Sequence, residues 1–549
     1  MAMNACRAPR SANLLQAGAS LTRGAAVLAL VVLTDALPVQ AQDPAGALLA
    51  RIETYEVGDA RPPVAEGTAL RSLTLDEAMA IALEVNLDLQ STRLDALSQE
   101  LGLTQARGAF TPTFSTTLGY NNQTQQTTSQ LDGGATITNK RATLNTALQQ
   151  ALPWYGGRLA ANFNNSRLET DNVFATRNPG YTSTVNLSFT QPLLAGLKLD
   201  AQRLQVRSAE IQSEVGQLQV EARVRNIRAQ VQSAYWGLKA SIEQIEIQRR
   251  NVAQAQQLLA ENQLRERVGR ATRFQVIQTE AQLASAEQAL LGAEIQWRNQ
   301  ELLLKQLLLR GADDALLDET LYPTDTPELA DEEVDLDGAI ARALGERTDL
   351  RQQREQRRLG ELSISLAETN RLPTLDLTAG YSLQGVGGDL FRRDNLGGVP
   401  VLVAPGSWGD GLSSIAAFET PTWNVTLNAS YPIGSNPNRA ALEQARVELR
   451  QRDLTLRAQE LAVVTQVTGA GLAVRNTYLQ YEAARRNAEA SELALEAELT
   501  RFGVGAATNF EVVTAQNQLT QARLSVLQAL IDHLNAITEF ERVQQAGNG

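Results

Sequence analysis

Two stretches of the chain carry the hydrophobic spacing of long coiled-coil helices. In the first, apolar residues follow one another at intervals of three and four, at Val224, Ile227, Val231, Ala234 and Leu238. The second repeats the spacing at Leu442, Ala445, Leu449 and Leu456, with Arg452 at the missing step. The 66 residues from Ala201 to Glu266 would extend about 100 Å as one helix. A helix of that length suits a structure that crosses a wide compartment, although a soluble coiled-coil rod has the same pattern.

Four short stretches alternate between apolar and polar residues, which is the period of a β-strand. They lie at 114–120, 181–190, 375–384 and 423–431. The polar positions hold short, mostly uncharged side chains, so one face of each strand would suit lipid and the other would suit water. A soluble, half-buried sheet alternates in the same way, and a single strand would not distinguish the two.

The distribution of aromatic residues favours strands in a membrane. Of the 26 aromatic residues, 15 fall in 110–190 and 373–432, as expected for the aromatic girdles of a transmembrane barrel. The intervening segments from Asn121 to Asn139 and from Gly385 to Gly411 are long, polar and rich in Gly, Asn and Gln. This composition predicts exposed surface loops.

The predicted strands are too few to close a barrel within one chain. An open sheet edge in lipid leaves backbone groups unpaired at a cost of several kcal/mol each, and the smallest bacterial barrels have about eight strands. With four strands per chain, three copies would supply twelve, and a dimer or a tetramer also satisfies the count. Two further alternating runs, 142–152 and 158–166, predict an extra hairpin. The pattern leaves open whether that hairpin lies in the barrel wall or outside the cell.

The chain contains two copies of one unit. Residues 75–120 align with 336–381 without a gap, and 17 of the 46 positions are identical. Further along, Pro192 corresponds to Pro432. Each copy has the same predicted order of elements: a helix (74–108 in the first copy), then strands, then a long helical stretch broken once at a Val-Gly-x-x-Thr segment.

The start of the chain and an acidic segment complete the predicted organisation. Arg7, Arg10 and Arg23 accompany a short apolar run at 25–33, as in a secretory signal peptide. Residues 313–337 hold eleven acidic residues and no Lys or Arg, which predicts a solvated connector. The predicted plan is a signal peptide at 1–41, an N-terminal linker at 42–70, a first repeat at 71–312, an acidic connector at 313–333, a second repeat at 334–545 and a C-terminal tail at 546–549.

Composition argues against several classes of function. The net charge of −12 argues against a nucleic-acid partner, because phosphate binding needs a basic surface. The one cysteine, Cys6, lies in the predicted signal peptide, and the one histidine, His533, falls in a helical pattern, where a surface or seam position is expected. We therefore expect no enzymatic activity, no catalytic residue, no metal site and no cofactor.

The ordered set of these features resembles the TolC-like outer membrane efflux proteins along essentially the whole mature chain. The residues that carry the resemblance are Ala82-Leu83 with Asn86 to Leu89, Gln191 to Leu194, Ala343-Leu344 with Asp349-Leu350, and the paired Val-Gly-x-x-Thr turns. The resemblance implies a mixed fold, in which a membrane β-barrel is joined to a long α-helical coiled-coil barrel and each chain contributes two tandem repeats. It also implies a homotrimer with a twelve-strand barrel in the outer membrane of a Gram-negative bacterium and a helical tunnel in the periplasm.

The resemblance further implies a function and partners. The tunnel would be the passive exit duct of a tripartite efflux or type I secretion system. Its tip would dock on a periplasmic adaptor (membrane fusion) protein, which links it to an inner-membrane transporter of the RND or ABC type. The alternative is a structural coiled-coil protein that spans the periplasm without a pore.

The resemblance assigns site candidates to the helix breaks. The candidates for adaptor contact at the tip are Val268, Gly269, Thr272, Val504, Gly505 and Thr508. Glu511 is the candidate for an acidic ring at the pore mouth, while Thr514 stands where relatives have a second acidic residue. The same residues also suit a plain helix-hairpin turn with threonine caps and a solvated glutamate.

Overall fold

The computed structural model describes residues 58, 60–63, 69–127, 134–327, 334–393, 395, 398–433 and 437–544. The predicted signal peptide at 1–41, with Cys6, and the predicted tail at 546–549 lie outside these residues. The α-helices are α1 (Leu75–Val85), α2 (Leu87–Arg107), α3 (Ala201–Arg267), α4 (Arg273–Leu308), α5 (Leu336–Glu346), α6 (Thr348–Asn370), α7 (Trp408–Ala416), α8 (Pro437–Gly503) and α9 (Asn509–Gln544). The strands are β1 (Leu70–Leu73), β2 (Thr113–Gln126), β3 (Thr136–Ala151), β4 (Arg158–Thr170), β5 (Gly180–Pro192), β6 (Thr320–Pro323), β7 (Thr374–Gly387), β8 (Leu390–Arg392), β9 (Val401–Ala404) and β10 (Pro421–Ser430).

Two helices of equal length dominate the fold. Helices α3 and α8 have 67 residues each, and each is followed by a helix of 36 residues, α4 and α9. At the α-helical rise, α3 extends about 100 Å. The predicted helix from Ala201 to Glu266 is therefore confirmed, and its break at Gly269 lies between α3 and α4. Among the described residues, no helix combines the length and the apolar character needed to cross a membrane.

The first helical stretch is broken at Asn86. Here the backbone leaves the helical region, and the side-chain Oδ1 accepts the N–H of Leu89 at 3.2 Å, which caps α2. The prediction of one helix over 74–108 is therefore wrong, because an asparagine that caps a new helix also ends the preceding one. The same break occurs in the second half, where Arg347 separates α5 from α6.

Four helices form a row. Helix α2 packs on α3, α3 on α6, and α6 on α8. Residues of the predicted seam are buried along α3, including Ile227, Val231 and Leu238. They belong to a core cluster that also holds Tyr235 and Trp297. The core thus runs along the helices instead of filling a compact centre.

Six antiparallel strands form one sheet in the order β10-β7-β5-β4-β3-β2. The prediction of four strands per chain is wrong, because the extra hairpin, predicted at 142–152 and 158–166, forms β3 and β4 within this sheet. The total of twelve strands for three copies assumed four strands per chain, so it no longer holds. Strands β2 and β10 are the two edges, and both are exposed along their whole length.

The strand register places apolar side chains on one face of all six strands. One row of cross-strand partners runs from edge to edge through Phe114, Leu148, Ala161, Leu187, Tyr381 and Trp423. The next row lies on the opposite face and is polar or small, with Ser115, Ala147, Asn162, Asn186, Ser382 and Thr422. In these two rows, the alternation seen in the sequence combines into faces of opposite character.

The segment predicted as a solvated acidic connector, 313–333, is partly folded. Its residues 320–323 form β6, which pairs in parallel with β1. Leu321 is fully buried in the helical core cluster. That part of the prediction is wrong, because the apolar residues between the acidic ones complete the core. The predicted linker also packs here, since the N–H of Gly58 donates to Glu243 Oε1 at 2.8 Å.

The two predicted surface loops contain more regular structure than expected. Residues 121–126 extend β2 and residues 136–139 begin β3, so the predicted loop from Asn121 to Asn139 is shorter. The predicted loop from Gly385 to Gly411 contains β8, β9 and the start of α7. Helix α7 packs on β7 and β5, and the indole Nε1 of Trp408 donates to Ser183 Oγ at 3.1 Å.

The helical core predicts the effect of removing one buried side chain. Leu238 is fully buried, so Leu238→Ala should lower the free energy of unfolding by about 2–5 kcal/mol through lost burial and a cavity. Denaturant unfolding followed by helical circular dichroism measures it. The matched control is Leu264→Ala on the same helix, where the side chain is 55% exposed and a change within about 0.5 kcal/mol is expected. Equal losses in the two variants would contradict this account of the core.

Candidate docking site at the helix-hairpin tips

Two turns of the same construction join the long helices in pairs. The first turn links α3 to α4 and the second links α8 to α9. Gly269 and Gly505 have φ of +73° and +78°, a left-handed conformation that only glycine adopts at little cost. In each turn the N–H after the glycine donates back to a carbonyl in the last helical turn, from Arg270 to Arg265 at 2.7 Å and from Ala506 to Arg501 at 2.8 Å. This is the glycine-terminated helix end known as a Schellman motif.

A threonine begins the next helix in both turns. The N–H of Thr272 donates to Gln275 Oε1 at 2.8 Å, and the N–H of Gln275 donates back to Thr272 Oγ1 at 3.4 Å. In the second turn the N–H of Thr508 donates to Glu511 Oε2 at 2.6 Å, and the N–H of Glu511 donates to Thr508 Oγ1 at 3.4 Å. Each pair is a capping box, which satisfies otherwise unpaired donors at a helix start.

The Glu511 carboxylate therefore has a local structural role. The hydrogen bonds from the Thr508 backbone N–H and hydroxyl hold the pKa of Glu511 below its usual range, because they favour the charged carboxylate. Thr514 lies one turn further along α9, where its hydroxyl donates to the carbonyl of Phe510 at 2.7 Å. A carboxylate so placed is charged at neutral pH and is half-buried at the end of the hairpin.

Large apolar side chains are exposed at both turns. Val268 is 62% exposed and Val504 is 75% exposed, while Phe274 and Phe510 at the starts of the next helices are 74% and 64% exposed. Exposed apolar clusters of this kind mark contact sites for other proteins. The sequence pattern pointed to the valines, but it did not single out the phenylalanines. They could have been identified from their equivalent positions in the two turns, two residues after Thr272 and Thr508.

Contacts between the two hairpins bring all the predicted site residues to one end of the helices. Asn262 Nδ2 donates to Asn509 Oδ1 at 2.9 Å, and both residues are buried. The Arg265 guanidinium lies over the Phe502 ring, with 4.0 Å to its centroid. Further along, Gln282 Nε2 donates to Asn517 Oδ1 at 2.8 Å. Sequence reasoning missed these contacts, because their partners lie more than 230 positions apart.

The single histidine belongs to the helix seam. His533 is buried, and its Nδ1 lies 3.1 Å from Thr477 Oγ1. Burial lowers its pKa, since desolvation disfavours the charged imidazolium. Within the described ranges, no group of His, Cys, Asp and Glu is arranged to hold a metal ion.

A comparison with protein families finds that the model described as "Outer membrane efflux protein" matches residues 79–308 and 339–542. A comparison with curated proteins finds none that matches. The chain also resembles solved structures. One is a membrane protein from Pseudomonas aeruginosa, with 17% identity, a TM-score of 0.63, and coverage of 90% of this chain and 99% of that one.

Two further similar structures are channels. The Campylobacter jejuni CmeC outer membrane channel has 15% identity and a TM-score of 0.61, with 86% of each chain covered. The Neisseria gonorrhoeae MtrE outer membrane channel, in its open state, has 16% identity and a TM-score of 0.56, covering 90% of this chain and 96% of that one. At these identities the likeness is one of fold.

The two turns are expected to respond differently to pH. A carboxyl with a lowered folded pKa stabilises the fold above its unfolded pKa, and this contribution is lost as the pH falls through the folded value. The second turn, held by Glu511, should therefore loosen as the pH falls below about 4.3, the ordinary glutamate pKa, towards its lower folded pKa. The first turn, held by the neutral Gln275, should not.

Hydrogen exchange of peptides covering the two turns, from pH 7 to pH 3 and corrected for intrinsic exchange, measures this difference. Glu511→Gln is the matched control, because it copies the neutral cap of Gln275 and should remove the pH response. The same pH response in both turns, or its persistence in Glu511→Gln, would show that another group is responsible.

Proposed function

This chain belongs to the outer membrane efflux protein family, whose members are outer-membrane channels and not enzymes, and we propose that three copies form a passive exit duct. The duct would consist of a β-barrel in the outer membrane and a helical tunnel in the periplasm of a Gram-negative bacterium. The observation that carries the proposal is one sheet with an apolar and a polar face, joined to helices about 100 Å long in the same chain.

The character of the sheet supports a position in lipid. On its apolar face, Phe114, Leu118 and Trp423 are each about 70% exposed or more, which is unfavourable in water and favourable in a bilayer. The edges β2 and β10 carry unpaired backbone groups that lipid does not tolerate. Pairing β2 of one copy with β10 of the next would give both edges hydrogen-bond partners and would leave the apolar face towards the lipid.

The helix row supports the same closure. Helix α2 leads into β2, and α8 follows β10, so the outer helices of the row lie under the edge strands. Both helices expose apolar side chains seven residues apart, at Leu87, Leu94 and Leu101 on α2 and at Val447, Leu454 and Leu461 on α8. A seven-residue apolar spacing is the pattern of a coiled-coil seam. We assign these stripes to contact between neighbouring copies, which closes the tunnel.

The tips are assigned to docking. The exposed valines and phenylalanines, with Gly269, Gly505 and the capping Thr272 and Thr508, form a surface suited to a periplasmic adaptor protein. The adaptor would connect the duct to an inner-membrane transporter of the RND or ABC type, in tripartite efflux or type I secretion. Cargo selection and the energy for transport would then both rest with the transporter.

Glu511 is retained as the candidate for the pore mouth. In a threefold assembly three such carboxylates would form an anionic ring that attracts cations. The Thr508 hydrogen bonds lower the pKa of Glu511 within one chain, so each copy would bring one negative charge to such a ring. The capping bonds to Thr508 tie the carboxylate to the turn, and the proposed ring would form with these bonds in place.

The central test is channel activity of the full chain purified in detergent and inserted in planar bilayers. A duct gives discrete conductance steps, and Glu511→Gln should lower the preference for K⁺ over Cl⁻ about two-fold or more, because it removes one charge per copy from the ring. The alternative, a coiled-coil rod without a pore, predicts no conductance and extraction without detergent. That result would overturn the duct. Conductance with unchanged ion preference would overturn only the ring.

A second test addresses the tips in the native host. The double variant Val504→Asp/Phe510→Asp places two charges on the second turn, and we expect it to abolish complementation of a deletion strain challenged with efflux substrates. The amount of trimer in the outer membrane should be unchanged. Val173→Asp, an exposed position in the β4–β5 connection, is the matched control and should complement fully. Full complementation by the tip variant would remove the docking assignment.

A further inference from the structure

We propose that the β3–β4 hairpin lies in the barrel wall, so that three copies close a barrel of eighteen strands instead of twelve. The inference rests on the proposed trimeric duct and specifies the width of its outer-membrane part. It follows from the place of the hairpin in the sheet, the length and faces of its strands, its turn, and the width of the helix row beneath it.

The hairpin is inside the sheet and not appended to it. Strand β3 pairs with β2 over the fourteen positions from Thr113 to Gln126, and β4 pairs with β5 over the eleven positions from Arg158 to Leu168. If the hairpin left the wall, both ladders would break and β2 would have to find β5 directly. In lipid each backbone group left unpaired costs several kcal/mol, so the observed pairing favours keeping the hairpin in the wall.

Both strands are long enough to cross the membrane. Strand β3 has 16 residues and β4 has 13, whereas a tilted strand needs about 9–11 to span the hydrocarbon. In the middle of both strands the faces follow those of the neighbouring strands, with Asn165 of β4 as a polar residue on the apolar face. Leu144, Leu148 and Phe163 lie on the apolar face, while Asn145 and Asn164 are cross-strand partners on the polar face.

The turn of the hairpin is fixed at the helical end of the sheet. The N–H of Leu152 donates to the carbonyl of Gly157 at 2.8 Å. The Nε2 of Gln191, where β5 ends before α3, donates to the carbonyl of Tyr155 at 2.7 Å. Gly156 has φ of +70°, and a Cβ there would approach the Gly196 carbonyl oxygen at 2.8 Å. The hairpin therefore runs the full height of the sheet.

The width of the helix row agrees with six strands. Four helices packed side by side at their usual spacing occupy about 36 Å. Six strands at about 4.8 Å and a tilt of roughly 40° occupy about 38 Å, whereas four strands at that tilt occupy about 25 Å. With six strands, the barrel segment of each copy is about as wide as its row of four helices, so the duct does not narrow strongly where the two parts meet. The full barrel would have a backbone diameter of about 36 Å, compared with about 24 Å for twelve strands at the same tilt.

The consequence is a wide exit. At equal tilt the circumference is 1.5-fold larger than that of twelve strands, as the ratio of strand numbers requires. The added wall contributes the small and amide side chains of β3 and β4 to the lumen, including Thr143, Asn145 and Asn164.

Single-particle cryo-electron microscopy of the full chain in lipid nanodiscs tests the strand number directly. We expect a trimer with eighteen strands around the threefold axis. A trimer with twelve strands and the hairpin outside the wall would overturn this inference and leave the duct intact. Particles with no threefold barrel would overturn the proposed function as well, so the two failures are distinguishable.

Spin-label accessibility gives an independent measurement in liposomes. Labels at Leu148→Cys and Phe163→Cys should favour oxygen over a water-soluble nickel complex as strongly as the benchmark Leu187→Cys on β5. Labels at Asn145→Cys and Asn164→Cys should show the opposite preference, like Thr184→Cys on β5. The native cysteine is replaced by Cys6→Ser in every variant. Water accessibility at all four hairpin positions, with the β5 benchmarks intact, would overturn the inference.

Discussion

A sheet in a bilayer must pair the backbone groups of both its edges, and this constraint organises the molecule. The described sheet ends at β2 on one side and at β10 on the other, and both are exposed throughout. Hydrocarbon offers no hydrogen-bond partner, so the only stable solution is a closed ring of strands. In the proposed duct one copy supplies six strands with two open edges, and pairing with further copies would remove both edges.

The order of the helices repeats the order of the strands, and this joins the two parts of the proposed duct. Reading across the chain, α2, α3, α6 and α8 lie side by side, and they connect to β2, β5, β7 and β10 in turn. Within the part of the chain that the structure describes, the hairpin of β3 and β4 has no helices of its own. In the proposed barrel it would add width to the wall while the helix row keeps four members per copy, so that barrel and tunnel would have similar circumferences.

The two hairpin tips share a backbone and differ in charge. The turns at Gly269 and Gly505 have the same glycine conformation and the same threonine cap. The capping partner is neutral in the first turn, as Gln275, and ionised in the second, as Glu511. One carboxylate therefore distinguishes two otherwise matched apolar tips. In the proposed duct, both turns would present similar apolar surfaces to an adaptor, and the charge would lie near only one of them.

The sequence by itself determined the elements whose pattern is local. The three-and-four spacing along α3, the alternation of β2, β5, β7 and β10, and the glycine and threonine of both turns are each written within a few residues, because helix and strand periods are 3.6 and 2. The family resemblance, and not the local pattern, assigned six residues of these turns to docking, and that role stays a prediction. The break at Asn86 is also local, but a capping asparagine within a helical pattern is a weak signal.

Only the tertiary structure decided which segments meet. The place of β3 and β4 between β2 and β5, the pairing of β6 with β1, and the contact of Asn262 with Asn509 join residues far apart in the chain. Alternation shows that a strand has an apolar and a polar face. It does not identify the neighbouring strand, because any strand of similar pattern could pair with it. Pairing is selected by register, burial and the connections of the whole chain together, and none of these is contained in a short stretch of sequence.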